Sequence, residues 1–212
     1  MLHRQTGRQA GSRQSADGLY SEVALANNNL EVVKEISLLG LTIRSDLKWI
    51  SNTENMIRKA NKRLWILRRL KNLGAQEVDL LEVYTKQIRC VLELAVPAWQ
   101  PSITQEERIN IERVQKSACH IILGDTYHSY ENALQHLGLV NLETRRTKLS
   151  YKFALKSEKH DKFKFWFKPI KKSINTRMAP NKYKDVRAKH SRLFNSPISY
   201  LTRLLNWHHK NK

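Results

Sequence analysis

Apolar residues that recur at alternating steps of three and four constrain this chain more than any other feature of its sequence. The clearest stripe consists of Ile50, Thr53, Ile57, Ala60, Leu64 and Leu67. Similar stripes follow at about 78–95, 104–123 and 141–158, with a shorter one at 129–137. This spacing matches an α-helix that buries one face. The sequence therefore predicts a mainly α fold, a bundle of four to five helices.

Residue types at the ends of the stripes predict where the helices begin and end. The segments Ser51–Glu54 and Thr104–Glu107 each match a capping box, whose first and fourth side chains accept hydrogen bonds from free backbone N–H groups. Gly74 and Gly124 each follow a stripe, and glycine commonly ends a helix. Pro97 is predicted to end the second long helix, because proline lacks the N–H that a helix interior requires.

The rest of the chain divides into three parts. Residues 1–30 mix Gly, Ser, Gln, Arg and Asn without a period, which predicts a disordered leader. Residues 31–49 are rich in Val, Ile and Leu, are interrupted at Gly40, and predict a short β-strand or hairpin. After the helical domain at 50–160, residues 161–212 predict a basic, aromatic and poorly ordered tail, in which only Ser199–Leu205 favours a further helical turn or two.

The chain carries a large positive charge that is unevenly distributed. Its 38 Lys and Arg outnumber 19 Asp and Glu, which gives a formal net charge of +19. Residues 81–150 sum to zero, whereas 41–80 carry a net +5 and 151–212 a net +14. Charge concentrated in this way favours a polyanionic partner, nucleic acid first and an anionic membrane surface second.

The first predicted helix combines cations with an aromatic residue on one side. At about 100° per residue, four residues fall within an arc of roughly 60° on the side across from the apolar stripe: Arg58, Lys62, Trp65 and Arg69. Two further cations, Lys59 and Arg63, lie beside this arc. Such a helix packs on one face and neutralises phosphates on the other, with Trp65 stacking on a base or sugar. The competing interpretation is that the cations only solvate an exposed helix while Trp65 packs against a neighbour.

The tail provides a second candidate surface for nucleic acid. Its aromatic residues alternate with cations, and the candidate binding residues are Lys162, Lys164, Trp166, Lys171, Lys172 and Arg177. Stacking and phosphate neutralisation add together in the binding of single-stranded or structured nucleic acid. Two other interpretations stay open: the aromatic residues dock back on the helical core, or the tail is solvated and disordered.

The sequence lacks the motifs of a catalytic, metal or cofactor site. Cys119, His120, His128 and His136 do not have the spacing of a zinc site. Neither glycine-rich phosphate loop, G-x-x-x-x-G-K-[ST] or G-x-G-x-x-G, occurs. We therefore expect no cofactor and no metal ion. The start of the chain lacks a secretory signal, and no apolar run approaches the roughly 20 residues that span a bilayer, so we expect a nuclear or cytoplasmic protein.

Several segments, in this order and spacing, resemble one family. They are LLGLTIRSDLKW (38–49), KANKRLWILRRL (59–70), Tyr84 with Ile88, VLELA (91–95), PAW (97–99), IERVQKSA (111–118), IILG (121–124), LETRR (142–146) and SPISYLTRLLN (196–206). Together they resemble the region behind the catalytic palm in reverse transcriptases of non-LTR (LINE-type, jockey-like) retrotransposons. The resemblance covers about residues 31–206.

The resemblance implies the primer-grip end of the palm followed by the thumb. In that family the strand with an L-G pair belongs to the primer grip, and Leu39–Gly40 matches it. The thumb helices of the family track the template–primer backbone, and the helix with Arg58, Lys62 and Trp65 matches the helix that faces nucleic acid. A basic C-terminal segment of the family helps to engage the element's RNA or target DNA.

The chain departs from the family in its chemistry. The palm of such polymerases carries a Y/F-x-D-D strand that holds two Mg²⁺ ions, and no two Asp are adjacent in this sequence. We therefore expect a non-catalytic remnant that binds RNA or DNA backbones without sequence specificity, with a separate palm-containing polymerase chain as a further partner. Two alternatives stay open: a decayed-element fragment without a biochemical role, and a helical scaffold for protein interactions.

Overall fold

The computed structural model describes residues 33–170 and 181–211, together with the backbone of 23–25 and 28–30. Within these residues, two β-hairpins precede a set of α-helices, three of which are single turns. The prediction of a mainly α fold with a short β segment before the helices is confirmed.

Both hairpins are antiparallel. Strand β1 (Val23–Leu25) pairs with β2 (Asn28–Leu30), and β3 (Glu35–Leu38) pairs with β4 (Leu41–Arg44). The prediction of a disordered leader over 1–30 is therefore wrong for the six residues of β1 and β2; the rest of that leader lies outside the described residues. These two strands are three residues long and partly polar, so they are too short to show an alternating pattern.

A two-residue turn joins β3 to β4. Its residues, Leu39 and Gly40, have φ angles of +50° and +84°, and a tight turn between right-twisted strands requires such positive values. A Cβ atom on Gly40 would lie 3.2 Å from Cδ2 of Leu94, so the turn also approaches the helical domain closely. The Thr42 N–H donates to Asn52 Oδ1 at 3.1 Å and fixes the hairpin to the first helix.

Nine α-helices follow in the described part of the chain. They are α1 (Ile50–Asn72), α2 (Glu77–Val83), α3 (Arg89–Leu92), α4 (Val96–Trp99), α5 (Gln105–Leu123), α6 (Tyr130–His136), α7 (Leu142–Lys159), α8 (Ser191–Phe194) and α9 (Pro197–Lys210). A π-helical turn, Tyr84–Ile88, joins α2 to α3. This is more than the four to five helices predicted, because the second predicted helix is divided and the tail adds two.

One predicted capping box is confirmed and the other is wrong. Thr104 Oγ1 accepts from the Glu107 N–H at 3.2 Å, and Glu107 Oε2 accepts from the Thr104 N–H at 2.7 Å, as the motif requires. At the other site α1 already begins at Ile50, so Ser51 lies inside the helix. Its hydroxyl donates to Glu35 Oε1 at 2.7 Å, a partner on β3.

The end predicted for the second long helix is also wrong. The helical segment stops at Leu92, and Ala95 takes a left-handed conformation with φ of +48°. Pro97 then lies in the first turn of α4, where a missing N–H costs nothing because no helical partner exists for it. Pro97 thus begins a helix instead of ending one.

The core is built around α1 and α5, which run parallel. Thr53 near the start of α1 donates to Glu107 near the start of α5 at 2.9 Å. At the other end of the pair, Lys71 Nζ donates to the Ile122 carbonyl at 2.8 Å. The predicted stripe of α1 faces this core, with the following members buried: Thr53, Ala60, Leu64 and Leu67.

The π-helical turn explains which residues between α2 and α3 are buried. Leu80, Tyr84, Ile88 and Leu92 are fully buried at uniform steps of four. Because an α-helix turns once per 3.6 residues, such a series would rotate progressively away from the core. The wider π turn corrects this rotation and keeps the four side chains in line.

The tail is attached to the helical domain by a second, smaller apolar cluster. Leu201 and Leu205 of α9 pack with Ala154 of α7, Phe167 and Tyr183. Helix α9 is longer than the one or two turns predicted over 199–205, because its buried face also includes polar side chains that interrupt the apolar pattern, Thr202 and Asn206. Residues 171–180 lie outside the described residues.

Candidate nucleic-acid interface

An open groove of about 710 Å³ lies between the outer faces of α1 and α5. The polar residues along it are Glu54, Arg58, Asn61 and Lys62 from α1, and Asn110, Arg113 and Ser117 from α5. Glu54, Arg58 and Lys62 recur at steps of four, and Asn110, Arg113 and Ser117 at steps of three and four, so each set lies on one face of its helix. Arg58 and Lys62 therefore line the groove from α1, and Arg113 lines it from α5.

The cations of the groove are not neutralised by acids. Within the described ranges, none of the seven Lys and Arg of α1 forms a salt bridge, and neither does Arg113. Arg58 donates to the Asn55 side-chain oxygen, and Arg113 Nη1 donates to Asn110 Oδ1 at 2.8 Å. An amide partner orients a guanidinium but leaves its charge in place. Glu54 is the acid among the lining residues.

Trp65 continues the groove along α1. It lies one turn beyond Lys62, and 61% of its surface is exposed. The Arg69 guanidinium carbon lies 5.9 Å from the centre of its ring, within the range of a cation–π contact. Trp65 therefore presents most of its indole to solvent beside a cation.

Two of the predicted α1 residues lie away from this groove. Arg63 donates to the Gln87 carbonyl and approaches Cys90 Sγ at 3.8 Å, so it faces the α2–α3 segment. Lys59 lines a small recess beside Gly40 of the β3–β4 turn. The structure thus brings together Arg58 and Lys62, with Trp65 and Arg69 further along, and places Lys59 and Arg63 on other flanks.

The predicted tail residues are only partly available. Lys162 is exposed, but Lys164 pairs with Asp161 at 2.8 Å. Trp166 is half-buried against the second apolar cluster, with its ring centre 4.9 Å from that of Phe163. Lys171, Lys172 and Arg177 lie outside the described residues. The aromatic residue at 166 therefore docks on the helical core, as one of the two competing interpretations expects.

Arg113 is a groove residue that the sequence analysis missed. It lies on α5 in the segment 81–150, whose balanced charge directed attention elsewhere. A signal did exist, because Asn110, Arg113 and Ser117 follow a helical period on the face across from Ile111 and Ala118. Only the parallel packing of α1 on α5 turns that polar face into part of a groove.

The described part of the chain also bears on other kinds of chemistry. There, no three His, Cys, Asp or Glu side chains are grouped to hold a metal ion. Burial raises the pKa of the Cys119 thiol to about 11, which keeps it protonated at neutral pH. None of the described helices combines the length and the hydropathy that crossing a bilayer requires.

No family model, no curated protein and no solved structure matches this chain. The function proposed below therefore rests on the groove itself, on its charge and on the order of the sequence segments that carry the resemblance.

Proposed function

We propose that this protein is a non-catalytic remnant of a LINE-type reverse transcriptase that binds RNA or DNA through the phosphate backbone. The observation that carries the proposal is the α1–α5 groove, which Arg58 and Lys62 line from α1 and Arg113 lines from α5, and none of the three forms a salt bridge with a described residue. Cations without an acidic partner can neutralise phosphates. When they bind, the nucleic acid releases its condensed counterions, and this release favours association.

Trp65 and Arg69 extend the same line of contacts. An exposed indole stacks on any base, and each stacked base contributes about 1–3 kcal/mol of binding free energy. Phosphate contacts and stacking carry little sequence information. The arrangement therefore favours binding that tolerates many sequences, with Lys162 of the tail adding charge at a distance.

The proposed origin is supported by the order of the elements. A hairpin with Leu39–Gly40 at its turn comes directly before the basic helix α1, which is the order that the resemblance implies. The reading frame upstream of Met1 tests the origin: a frame that encodes a strand with adjacent Asp residues supports it, and an unrelated frame argues against it. In a primed-template assay with Mg²⁺, we expect no extension by this chain, and extension would overturn the non-catalytic assignment.

Salt dependence of binding tests the nucleic-acid function. A fluorescently labelled 20-nucleotide RNA hairpin and a (dT)₂₀ strand are titrated with the purified chain between 50 and 200 mM salt. If six or more phosphates are contacted, the affinity falls by about 10³-fold over this range. Affinity that changes little with salt contradicts backbone binding.

Charge reversal in the groove locates the contacts. The triple variant Arg58→Glu, Lys62→Glu, Arg113→Glu is expected to bind at least 100-fold more weakly and to reduce the slope of log affinity against log salt by about 3. The matched control changes three exposed lysines of α7 by the same charge: Lys148→Glu, Lys152→Glu and Lys156→Glu. Equal losses in both variants would show that net charge, and not the groove, governs binding.

A further inference from the structure

A second recess lies where α4, α7 and α9 meet. It encloses about 300 Å³, enough for one or two large side chains, and six of its lining residues are Ala95, Pro97, Phe153, Trp166, Ile198 and Leu201. Apart from the Trp166 indole nitrogen, these side chains consist of hydrocarbon. The recess is open to solvent, since Phe153 and Ile198 are more than a third exposed.

A basic region adjoins this apolar recess. Trp166 and Ile198 also line a neighbouring recess of about 620 Å³, where three cations outnumber one acid, Asp185; the cations are Lys168, Lys184 and Arg187. The two recesses therefore form one surface with an apolar end and a cationic end. We name it the α4–α9 surface.

The two lysines of this surface are held opposite each other. Lys184 N–H donates to the Lys168 carbonyl at 2.9 Å, and Pro169 pairs with Tyr183 in an antiparallel bridge. Like charges directly across such a pair are destabilising. Neither lysine forms a salt bridge with a described residue, and the nearby Asp185 accepts instead from Asn181 and Asn206. An anion bound between the lysines would relieve the repulsion.

We propose that the α4–α9 surface binds an acidic peptide segment of a partner protein, with a large apolar side chain in the recess and carboxylates against Lys168, Lys184 and Arg187. Burial of an apolar anchor beside charge-assisted hydrogen bonds gives such a contact both affinity and orientation. This interaction is separate from nucleic-acid binding in the α1–α5 groove and does not depend on it.

The lining of the recess favours a peptide over a nucleic acid. A base inserted there would lose the hydrogen bonds of its polar edges to water and regain almost none from hydrocarbon walls. A hydrocarbon side chain has no such loss. The cations also lie at one end of the surface, whereas a nucleic-acid strand presents phosphates along its whole length.

Selection from a random 12-residue peptide library displayed on phage tests the proposal on the full chain. We expect enriched peptides that combine one Leu, Phe or Trp with neighbouring Asp or Glu, and tenfold weaker binding when that anchor is changed to Ala. No enrichment, or enriched peptides without acidic residues, would overturn the proposal.

Two substitutions locate the bound peptide. Ile198→Glu blocks the recess and Lys184→Glu reverses a rim charge, and each is expected to weaken the selected peptide at least tenfold; both side chains are exposed, and circular dichroism checks the fold. Arg68→Glu makes the same charge change on exposed α1 and is expected to have no effect. If Arg68→Glu weakened the peptide as much as Lys184→Glu does, the assignment to a peptide would be overturned. It would also be overturned if (dT)₂₀ displaced the bound peptide.

Discussion

Helices α1 and α7 are similarly basic, with seven and six Lys and Arg, but the two helices differ in how far packing engages these cations. In the first turns of α7, Arg145 binds Glu93, and Arg146 is fully buried and donates to Gln100 Oε1 at 2.7 Å. On α1, Arg58 and Lys62 border an open groove. The charge of a helix therefore does not tell which of its cations are available, because the packed neighbours decide it.

Arg146 shows how far α7 departs from a binding helix. Its guanidinium carbon lies 5.8 Å from the Trp99 ring centre, and Nη1 and Nη2 make no hydrogen bond to a described residue. Burial lowers the pKa of Arg146 to about 10, since a low-dielectric site disfavours the charged form. This arginine packs between helices and is closed to any ligand.

The largest expected effect comes from truncating that arginine. Arg146→Ala leaves a cavity beside Trp99 and removes the donor to Gln100, so unfolding free energy should fall by about 2–4 kcal/mol. Arg146→Met keeps most of the volume without the buried charge and should lose less. Arg58→Ala on α1 should change stability by no more than about 0.5 kcal/mol. Urea denaturation measures all three, and similar losses for Arg146→Ala and Arg58→Ala would break the comparison.

The acid that holds Arg145 gives the next effect. Glu93 pairs with both Arg145 and Arg89, the latter at 3.3 Å, and its side chain is largely buried. Glu93→Gln should therefore lower the unfolding free energy by about 1–2 kcal/mol. The control is Glu82→Gln, which removes an exposed pair with Lys86 and should change the unfolding free energy much less, because solvent screens an exposed pair. Thermal or urea unfolding that ranks the two variants equally contradicts a structural role for Glu93.

On α1 the comparison predicts a change in binding without a change in stability. Glu54 is the acid in the α1–α5 groove, and under the proposed function it would repel a phosphate bound by Arg58. Glu54→Gln should strengthen RNA binding about two- to threefold at 100 mM salt, a small effect because the site is exposed and screened. Glu131→Gln on exposed α6 makes the same charge change and should have a smaller effect. Fluorescence titration distinguishes them, and a weaker complex for Glu54→Gln would be evidence against the groove.

The smallest expected effect concerns the ion pair between Arg44 and Asp46, just before α1. Arg44 holds the pKa of Asp46 near 2, below its ordinary value of 3.8, chiefly through a side-chain hydrogen bond. The carboxylate form is therefore stabilised in the folded state, and its contribution is present above about pH 4 and is lost as the pH falls through about 2. Asp46→Asn should flatten this part of the pH–stability curve. An unchanged acid titration would show that the pair contributes nothing.

Local features of the fold were predictable from the sequence. The α1 stripe, the Thr104–Glu107 cap and the break at Gly40 depend on residues within a few positions of each other, so their patterns survive in the sequence. Ser51 shows the limit: its capping motif is present, but its hydroxyl donates to Glu35, sixteen residues away. A contact at that distance is not visible in a local motif.

The candidate site was only half predictable for the same reason. Periodicity on one helix identified Arg58 and Lys62 as members of one face. It did not identify Arg113, which lies beside them only because α5 packs on α1. It also did not show that Arg63 lies outside the groove, where it donates to the Gln87 carbonyl. The roles of these arginines depend on tertiary neighbours, and a single helical period carries no information about those neighbours.

The parallel arrangement of α1 and α5 also has a consequence for synthesis on the ribosome. The α5 residues that complete the burial of the α1 stripe lie about fifty positions later in the chain, after the segment 73–104, whose helices α2 and α3 also pack on α1. At about 5–20 residues per second, a nascent chain waits roughly 3–10 s between completing α1 and completing α5. During that interval the part of the stripe that packs on α5 faces the solvent or a chaperone, so α1 reaches its final packing only after translation of α5.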